Sequence, residues 1–181
     1  MKPLCVFGIV KNDKGNQIAS EMMNWLLPLY DVMAVYHDGS MFEYPALRKM
    51  QEICIKEHRP CLYLHTKGAF NTHRDTEMVR AMWQHEFTEH RDLYFELVNR
   101  QWATVACPFT CSDKTTWFNG FVANWQAMAA LPKIEPNANR KKFERLFRGT
   151  DVNVIGVLRS DVERGIPGHI TKVCMQTMKQ L

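Results

Sequence analysis

The segment Leu64-His65-Thr66-Lys67-Gly68 brings an ammonium group, a hydroxyl and a glycine together directly after an apolar stretch. An ammonium group there can offset the charge of a diphosphate, and a glycine lets backbone amides approach its oxygens. The segment is not a Walker loop, because the GxxxxGK[ST] spacing is absent. It therefore predicts a phosphate-binding loop of another kind, although an ordinary strand-to-helix turn fits the same residues.

Two carboxylates, Asp75 and Glu77, follow soon afterwards and are separated by one residue. If the backbone there is extended, both can face one Mg²⁺ or Mn²⁺ ion, which would neutralise a leaving nucleoside diphosphate. If the backbone is already helical, they are first-turn acids that the helix dipole favours. The residues alone leave both interpretations open.

A later segment combines aromatic side chains with amides, which stack on sugar rings and bond sugar hydroxyls. The residues concerned are Trp117, Asn119, Gly120 and Trp125. They predict a carbohydrate pocket, although a core strand followed by a helix anchored by Trp125 fits as well. Asp113, in a polar loop, is a candidate base for an acceptor hydroxyl, with a solvated loop acid as the alternative.

His85, Glu86 and His90 invite comparison with the zinc-protease motif. That motif needs its histidines four positions apart on one helix face. Here they are five apart, which on an uninterrupted helix turns them ~140° from each other. We therefore interpret both as surface or half-buried histidines.

The elements that position these groups alternate along the first part of the chain. Apolar runs predict strands, and apolar residues at helical spacing predict helices between them. The strands are predicted at 3–10, 31–37 and 61–65, and the helices at 18–29 and 45–58. This alternation favours a parallel sheet with right-handed crossovers.

The second part of the chain continues the pattern less regularly. A long helix over 75–99 is expected to bend or break near His90. Further elements are predicted at 103–107 (strand), 123–130 (helix), 139–148 (polar helix) and 152–158 (strand). We predict an α/β fold, a mostly parallel sheet flanked by helices, in a single domain over 1–181.

In an open parallel sheet, ligands bind beyond the carboxyl ends of the strands. Three groups of residues lie at the predicted strand ends. They are Gly8, Ile9, Val10 and Lys11; Tyr36, His37 and Asp38; and His65, Thr66, Lys67 and Gly68. Each group alone fits an ordinary turn, but their joint occurrence favours a ligand site.

Length and composition narrow the class of protein. The chain has 181 residues, of which 46% are hydrophobic and 23% charged, which excludes a disordered or collagen-like chain. A net charge of +4 suits phosphate-bearing substrates. We interpret the basic run in 139–148 as a solvated helix face and expect no nucleic-acid partner.

The cysteine pattern and the hydropathy predict the cellular compartment of the protein. Six cysteines occur without any CxxC pair, and Cys5, Cys54 and Cys61 have the apolar surroundings of buried free thiols. We therefore expect a reduced, cytoplasmic protein. The longest apolar run is far below the ~20 residues of a transmembrane helix, so no transmembrane segment is expected.

Together these residues resemble a small family of glycosyltransferases with the GT-A fold, whose members carry a strand ending in Tyr-x-His-Thr-Lys-Gly. Tyr63-Leu64-His65-Thr66-Lys67-Gly68 carries the resemblance most specifically. The supporting stretches are 43–47, the helix around Trp83, and 117–120. These stretches follow the family's order over residues 1–135.

The resemblance implies a nucleotide-sugar donor such as a UDP-sugar, bound by residues of about 1–100, and a glycan or other hydroxyl acceptor, bound by about 101–181. We predict a role in glycan biosynthesis, with Lys67 and Asp113 as the catalytic residues. The resemblance also implies Mn²⁺ or Mg²⁺ on an Asp-x-Asp-like pair, for which Asp75 and Glu77 are the nearest match, with Glu77 in place of the second aspartate. The alternative function is a non-catalytic nucleotide- or glycan-binding module.

Overall fold

The structure is a computed structural model that describes residues 2–40, 42–69, 74–110, 114–116, 119–136 and 141–158. Within these ranges, helices and strands follow one another along the chain. They are β1 (Leu4–Val10), α1 (Asp13–Leu29), β2 (Asp31–His37), α2 (Tyr44–Glu57), β3 (Cys61–His65), α3 (Arg74–Glu89), α4 (Arg91–Asn99), β4 (Val105–Cys107), β5 (Phe121–Ala123), α5 (Trp125–Ala129), α6 (Lys141–Glu144) and β6 (Val154–Gly156). The α/β class is confirmed.

The strands form one six-stranded sheet in the order β2-β1-β3-β5-β4-β6. The pairs β1–β2, β1–β3 and β4–β6 are parallel. The pairs β3–β5 and β4–β5 are antiparallel. The prediction of a mostly parallel sheet is therefore wrong, because the sheet is mixed.

The strand β5 occupies the place of the core strand that the sequence left open before the helix of Trp125, but its reversed direction was not predicted. It has three residues and pairs Phe121 with Tyr63 and Ala123 with Cys61. A run of three residues is too short for strand periodicity to be recognised against the helix that follows it. Its reversed direction separates two groups of parallel strands.

Helices cover both faces of the sheet, and each face has its own apolar core. On one face, Phe7 and Leu64 pack with apolar residues of α1, α3 and α4. On the other, Val6 and Tyr63 pack with residues of α2 and α5. Because successive strand residues point to opposite faces, a continuous apolar strand such as β1 is buried on both sides.

The predicted boundaries hold best in the amino-terminal half. β2 and β3 coincide with the predicted ranges, and the predicted break near His90 is confirmed, since α3 ends at Glu89 and α4 begins at Arg91. The polar helix predicted over 139–148 is shorter, because α6 ends at Glu144 and turns follow.

The described cysteines are Cys5, Cys54, Cys61 and Cys107, and all four are free and buried. The prediction of buried thiols at the first three is thus confirmed. Among the helices of the described ranges, none combines the length and the apolar character that crossing a bilayer requires.

Candidate functional site

The carboxyl ends of β1, β2 and β3 meet at one edge of the sheet and are tied together by backbone contacts. The Lys11 N–H donates to the His37 carbonyl at 2.7 Å, and the Thr66 N–H donates to the Gly8 carbonyl at 2.9 Å. The Thr66 hydroxyl in turn accepts from the Val10 N–H at 3.1 Å. The three strand ends that the sequence singled out are therefore neighbours.

A cavity of about 230 Å³ opens at this edge. Its lining residues are Val10, His37, Phe42, Glu43, His65, Thr66, Lys67, Gly68, Ala69 and Thr76. Six of them belong to the groups predicted at the strand ends. Lys67 is only 8% exposed, so the cavity has a largely desolvated cation in its wall.

His37 is one of the side chains that line this cavity. Its Nδ1 accepts from the Gly39 N–H at 3.1 Å, so the neutral ring carries its proton on Nε2. Burial lowers the pKa of His37 against the opposing effect of Asp38, which favours that neutral form. Nε2 is buried and has no hydrogen-bond partner among the described residues. A ligand oxygen in the cavity would supply the missing acceptor.

Glu43 and His65 form the opposite part of the wall. The Glu43 Oε1 lies 3.6 Å from the His65 Nε2, and both side chains are buried. The His65 ring stacks on Tyr63 with centroids 6.0 Å apart and meets the Trp83 ring edge-on at 5.3 Å. These aromatic contacts fix the position of the imidazole.

Glu43 was not among the predicted site residues, although a signal for it exists. It is the residue that precedes α2, and Pro45 marks the first turn of that helix. In a parallel strand-helix-strand unit, the helix that follows β2 must begin at the carboxyl edge of the sheet. That geometry places Glu43 beside the ends of β1 and β3.

The loop after β3 needs glycine at position 68. Gly68 has φ +92°, and a Cβ there would lie 2.6 Å from the Thr76 Oγ1 and 3.0 Å from the Arg80 Nη1. Arg80 Nη1 also donates to the Lys67 carbonyl at 2.7 Å. The guanidinium of α3 thus holds the loop that carries Lys67 and adds a second positive charge close to it.

The proposed metal pair, Asp75 and Glu77, does not have the geometry it would need. Both residues lie in α3, where positions two apart point ~200° from each other, so the extended backbone that the metal interpretation requires is not present. Thr76, between them, lines the cavity. Glu77 lines a separate groove of about 430 Å³ beside Lys14 of α1, and the Asp75 side chain lies outside the described part.

Five of the residues that were predicted at the strand ends as contacts of the nucleotide sugar do not line the cavity. Ile9 is 1% exposed and packs in the core with α1 and α3. Gly8 lies behind the wall, since a Cβ there would be 3.4 Å from the His65 Cβ. Lys11, Tyr36 and Asp38 are exposed, and the Asp38 carboxylate accepts from the Ser40 N–H at 2.8 Å in a turn.

The predicted carbohydrate residues are divided by the fold. β3 and β5 are antiparallel, with Tyr63 opposite Phe121. Asn119 and Gly120, which precede Phe121, therefore lie near the carboxyl end of β3. There a Cβ on Gly120 would lie 2.3 Å from the Trp83 Nε1. Gly120 therefore supports the ring that fixes His65.

Trp125 lies at the other edge of the sheet, next to the Ala123–Cys61 pair. Its ring meets His58, which follows α2, at 4.8 Å. Trp125 therefore does not belong to the cavity, and its helix-anchoring interpretation fits this position. The predicted Asp113 and Trp117 lie outside the described residues.

We expect Thr66→Val to lower the free energy of unfolding by about 2 kcal/mol, because it leaves the buried Val10 N–H without its acceptor. Chemical denaturation followed by circular dichroism measures this change. Thr66→Ser is the matched control, since it keeps the hydroxyl. Equal losses in both variants would mean that the hydrogen bond is not the cause.

Comparison of the chain with protein-family models, with curated proteins and with solved structures finds no match.

Proposed function

We propose that the chain is a glycosyltransferase that moves a sugar from a nucleotide-sugar donor, such as a UDP-sugar, to a hydroxyl acceptor. The observation that carries the proposal is the cavity at the carboxyl edge of β1–β3. In it, a buried lysine, a glycine loop and an unpartnered histidine donor converge. This is the edge at which open α/β sheets bind nucleotides.

The cavity wall contains the Lys67 ammonium group and, beside His65, the Glu43 carboxyl group, so Lys67 is the group that we assign to the diphosphate. Arg80 supports the loop of Lys67 through its bond to the Lys67 carbonyl and itself lines the neighbouring groove. When the bond between the anomeric carbon and the phosphate oxygen breaks, negative charge grows on the leaving diphosphate. A desolvated cation stabilises that charge more strongly than an exposed one does.

The size of the cavity limits which part of the donor it holds. At about 230 Å³, it is smaller than the ~300–1,000 Å³ of pockets that enclose a whole drug-sized ligand. We place the diphosphate and one adjoining ring inside, with the His37 Nε2–H donating to a ring hydroxyl or phosphate oxygen. The remaining donor atoms lie over the exposed ends of β1 and β2, where Lys11 and Tyr36 are accessible.

The metal that the family resemblance implies does not fit the Asp75 and Glu77 pair, because the helix directs positions 75 and 77 to different sides. No catalytic step is therefore derived through a metal. In the proposed reaction, the acceptor oxygen forms a bond with the anomeric carbon as the phosphate leaves. A base takes the hydroxyl proton, and Asp113 remains the predicted candidate.

The second candidate function is a non-catalytic nucleotide- or glycan-binding module. Many enzymes that transfer a sugar from a nucleoside diphosphate use a metal ion to neutralise the leaving group. Because Asp75 and Glu77 lie on different sides of α3 and do not form a site for such an ion, their positions favour this second function. A nucleotide-binding module would bind the same donor as the transferase without turning it over, and a glycan-binding module would not bind the donor.

Thermal denaturation with a panel of UDP- and GDP-sugars, each with and without Mn²⁺, tests the binding that a transferase and a nucleotide-binding module both need. A ligand that binds only the native state stabilises it by about 2.7 kcal/mol at 100 times its dissociation constant. We expect one donor class to raise the melting temperature, and Mn²⁺ to add little. The protein is then incubated for hours with the donor that gives a shift, and the release of free nucleoside diphosphate is measured. Release indicates a transferase, and its absence indicates a binding module.

His37→Gln tests whether this binding takes place in the cavity, because it replaces the imidazole of a cavity-lining residue by another polar side chain. We expect it to reduce the ligand-induced shift, whereas Asn16→Ala on the exposed face of α1 should leave the shift unchanged. A panel in which no nucleotide sugar shifts the melting temperature would contradict the transferase and the nucleotide-binding module, and would leave only a glycan-binding module.

A further inference from the structure

The junction between α3 and α4 brings together two histidines that a straight helix would separate. At five positions apart, side chains on a continuous helix point ~140° from each other. The chain instead breaks at His90, which has φ −109° and ψ 14° and precedes α4. As a result, the His85 and His90 rings lie 5.3 Å apart between centroids, with an 80° angle between their planes.

A carboxylate completes this group. One ligand-capable atom from each of His85, Glu86 and His90 lies within 4.8 Å of the other two. In a tetrahedral zinc site with bonds of ~2.0–2.1 Å, neighbouring ligand atoms are about 3.4 Å apart. Atoms at the limit of 4.8 Å need to approach by about 1.4 Å to share one ion, and His90 is exposed, so its side chain has room to change rotamer.

Glu86 is the buried member of this group. Its side chain is 1% exposed, and its Oε1 lies 3.9 Å from the His85 Nε2, beyond hydrogen-bond distance. Its Oε2 accepts from the buried Tyr94 hydroxyl at 2.7 Å. Burying a carboxylate is costly unless its charge is paired. The Tyr94 bond also orients the carboxylate, as outer hydrogen bonds do for metal ligands.

From these contacts we propose that His85, Glu86 and His90 bind one divalent transition-metal ion that joins α3 to α4 at their break. Two imidazole nitrogens and one carboxylate oxygen suit zinc, whereas Mg²⁺ takes oxygen ligands and retains its water. Water would fill the fourth position on the exposed side, next to His90. This site is independent of the cavity and of the proposed transferase activity.

The test uses the full chain after treatment with a chelator, titrated with ZnCl₂ in a calorimeter. We expect one zinc ion per chain, and a rise in melting temperature on zinc addition. His90→Ala removes an exposed ligand with little risk to the fold. It should weaken binding more than about 10-fold, since even outer partners of a metal ligand contribute 10–100-fold.

Glu89→Gln is the matched control, because Glu89 is an exposed acid next to His90 and outside the three-residue group. It should bind zinc as the wild type does. Glu86→Gln, which keeps an oxygen to accept from Tyr94, should lose affinity like His90→Ala. Either of two results would overturn the proposal: no stoichiometric zinc binding by the wild type, or equal affinity in the wild type and His90→Ala.

The cysteines are the competing source of zinc ligands, and a spectroscopic readout separates them from the histidine group. Co²⁺ bound by thiolates has intense sulfur-to-metal charge-transfer absorption, and Co²⁺ bound by imidazole and carboxylate lacks it. We expect a Co²⁺ complex without that absorption. A thiolate spectrum that persists in His90→Ala would assign the metal to cysteines and contradict the proposed site.

Discussion

Lys67→Met is expected to lower turnover of the nucleotide-sugar donor by about 10²–10³-fold, which is the usual effect of removing one group that stabilises charge in a transition state. Lys67 is 8% exposed and lines the cavity at the ends of β1–β3. Methionine keeps most of the aliphatic length, so the melting temperature should change little. The measurement is the release of nucleoside diphosphate from the donor that gives the largest thermal shift.

The kinetic parameters separate two roles for this lysine. If the ammonium stabilises charge that grows as the phosphate leaves, kcat falls; if it only holds the ground-state diphosphate, KM rises and kcat stays the same. Lys49→Met is the control, because Lys49 is an exposed lysine of α2 away from the cavity. Turnover at the wild-type level in Lys67→Met would remove Lys67 from the mechanism.

The sequence predicted the strand ends of the site well, for a reason that is visible in β1–β3. Each of these strands is an apolar run that ends at polar or glycine residues, and parallel strands joined by helices must have their carboxyl ends at one edge. The backbone hydrogen bonds from Lys11 to His37 and from Thr66 to Gly8 follow from that arrangement. Six predicted residues accordingly line one cavity.

The rest of the site depended on helix phase and on long-range pairing. Asp75 and Glu77 were predicted as a metal pair only on the condition of an extended backbone, whereas the helix predicted over 75–99 already contained both. The structure has them in α3, and Thr76 lines the cavity instead. A core strand before Trp125 was one of two open interpretations, and the direction of β5 was not predicted, because its partners β3 and β4 determine the pairing of a three-residue strand.

The histidines at the α3–α4 junction show the same limit more clearly. The predicted break near His90 and the predicted separation of His85 from His90 rest on incompatible premises, because the angle of ~140° holds only for a continuous helix. The structure confirms the break, and the rings are in contact. Sequence spacing determines side-chain neighbours only while the helix remains regular.

Gly120 carries the largest stability effect that we expect. A Cβ at this position would lie 2.3 Å from the Trp83 Nε1 and 2.6 Å from the Cε2. Trp83 is fully buried and meets His65 edge-on, so it has no free space to move into. We expect Gly120→Ala to lower the free energy of unfolding by about 3 kcal/mol. This corresponds to a fall in melting temperature of about 6–12 °C.

Two further variants identify the cause of that loss. Gly149→Ala is the control for backbone conformation, since Gly149 has φ +74° but no atom within 4 Å of its added Cβ; it should lose only about 1 kcal/mol. Trp83→Phe removes the indole atoms that a Cβ on Gly120 would meet. In a double-mutant cycle, Gly120→Ala should therefore be less destabilising in the Trp83→Phe background than in the wild type. Additive losses would mean that the two residues do not contact each other as described, and the wall that holds His65 would need another explanation.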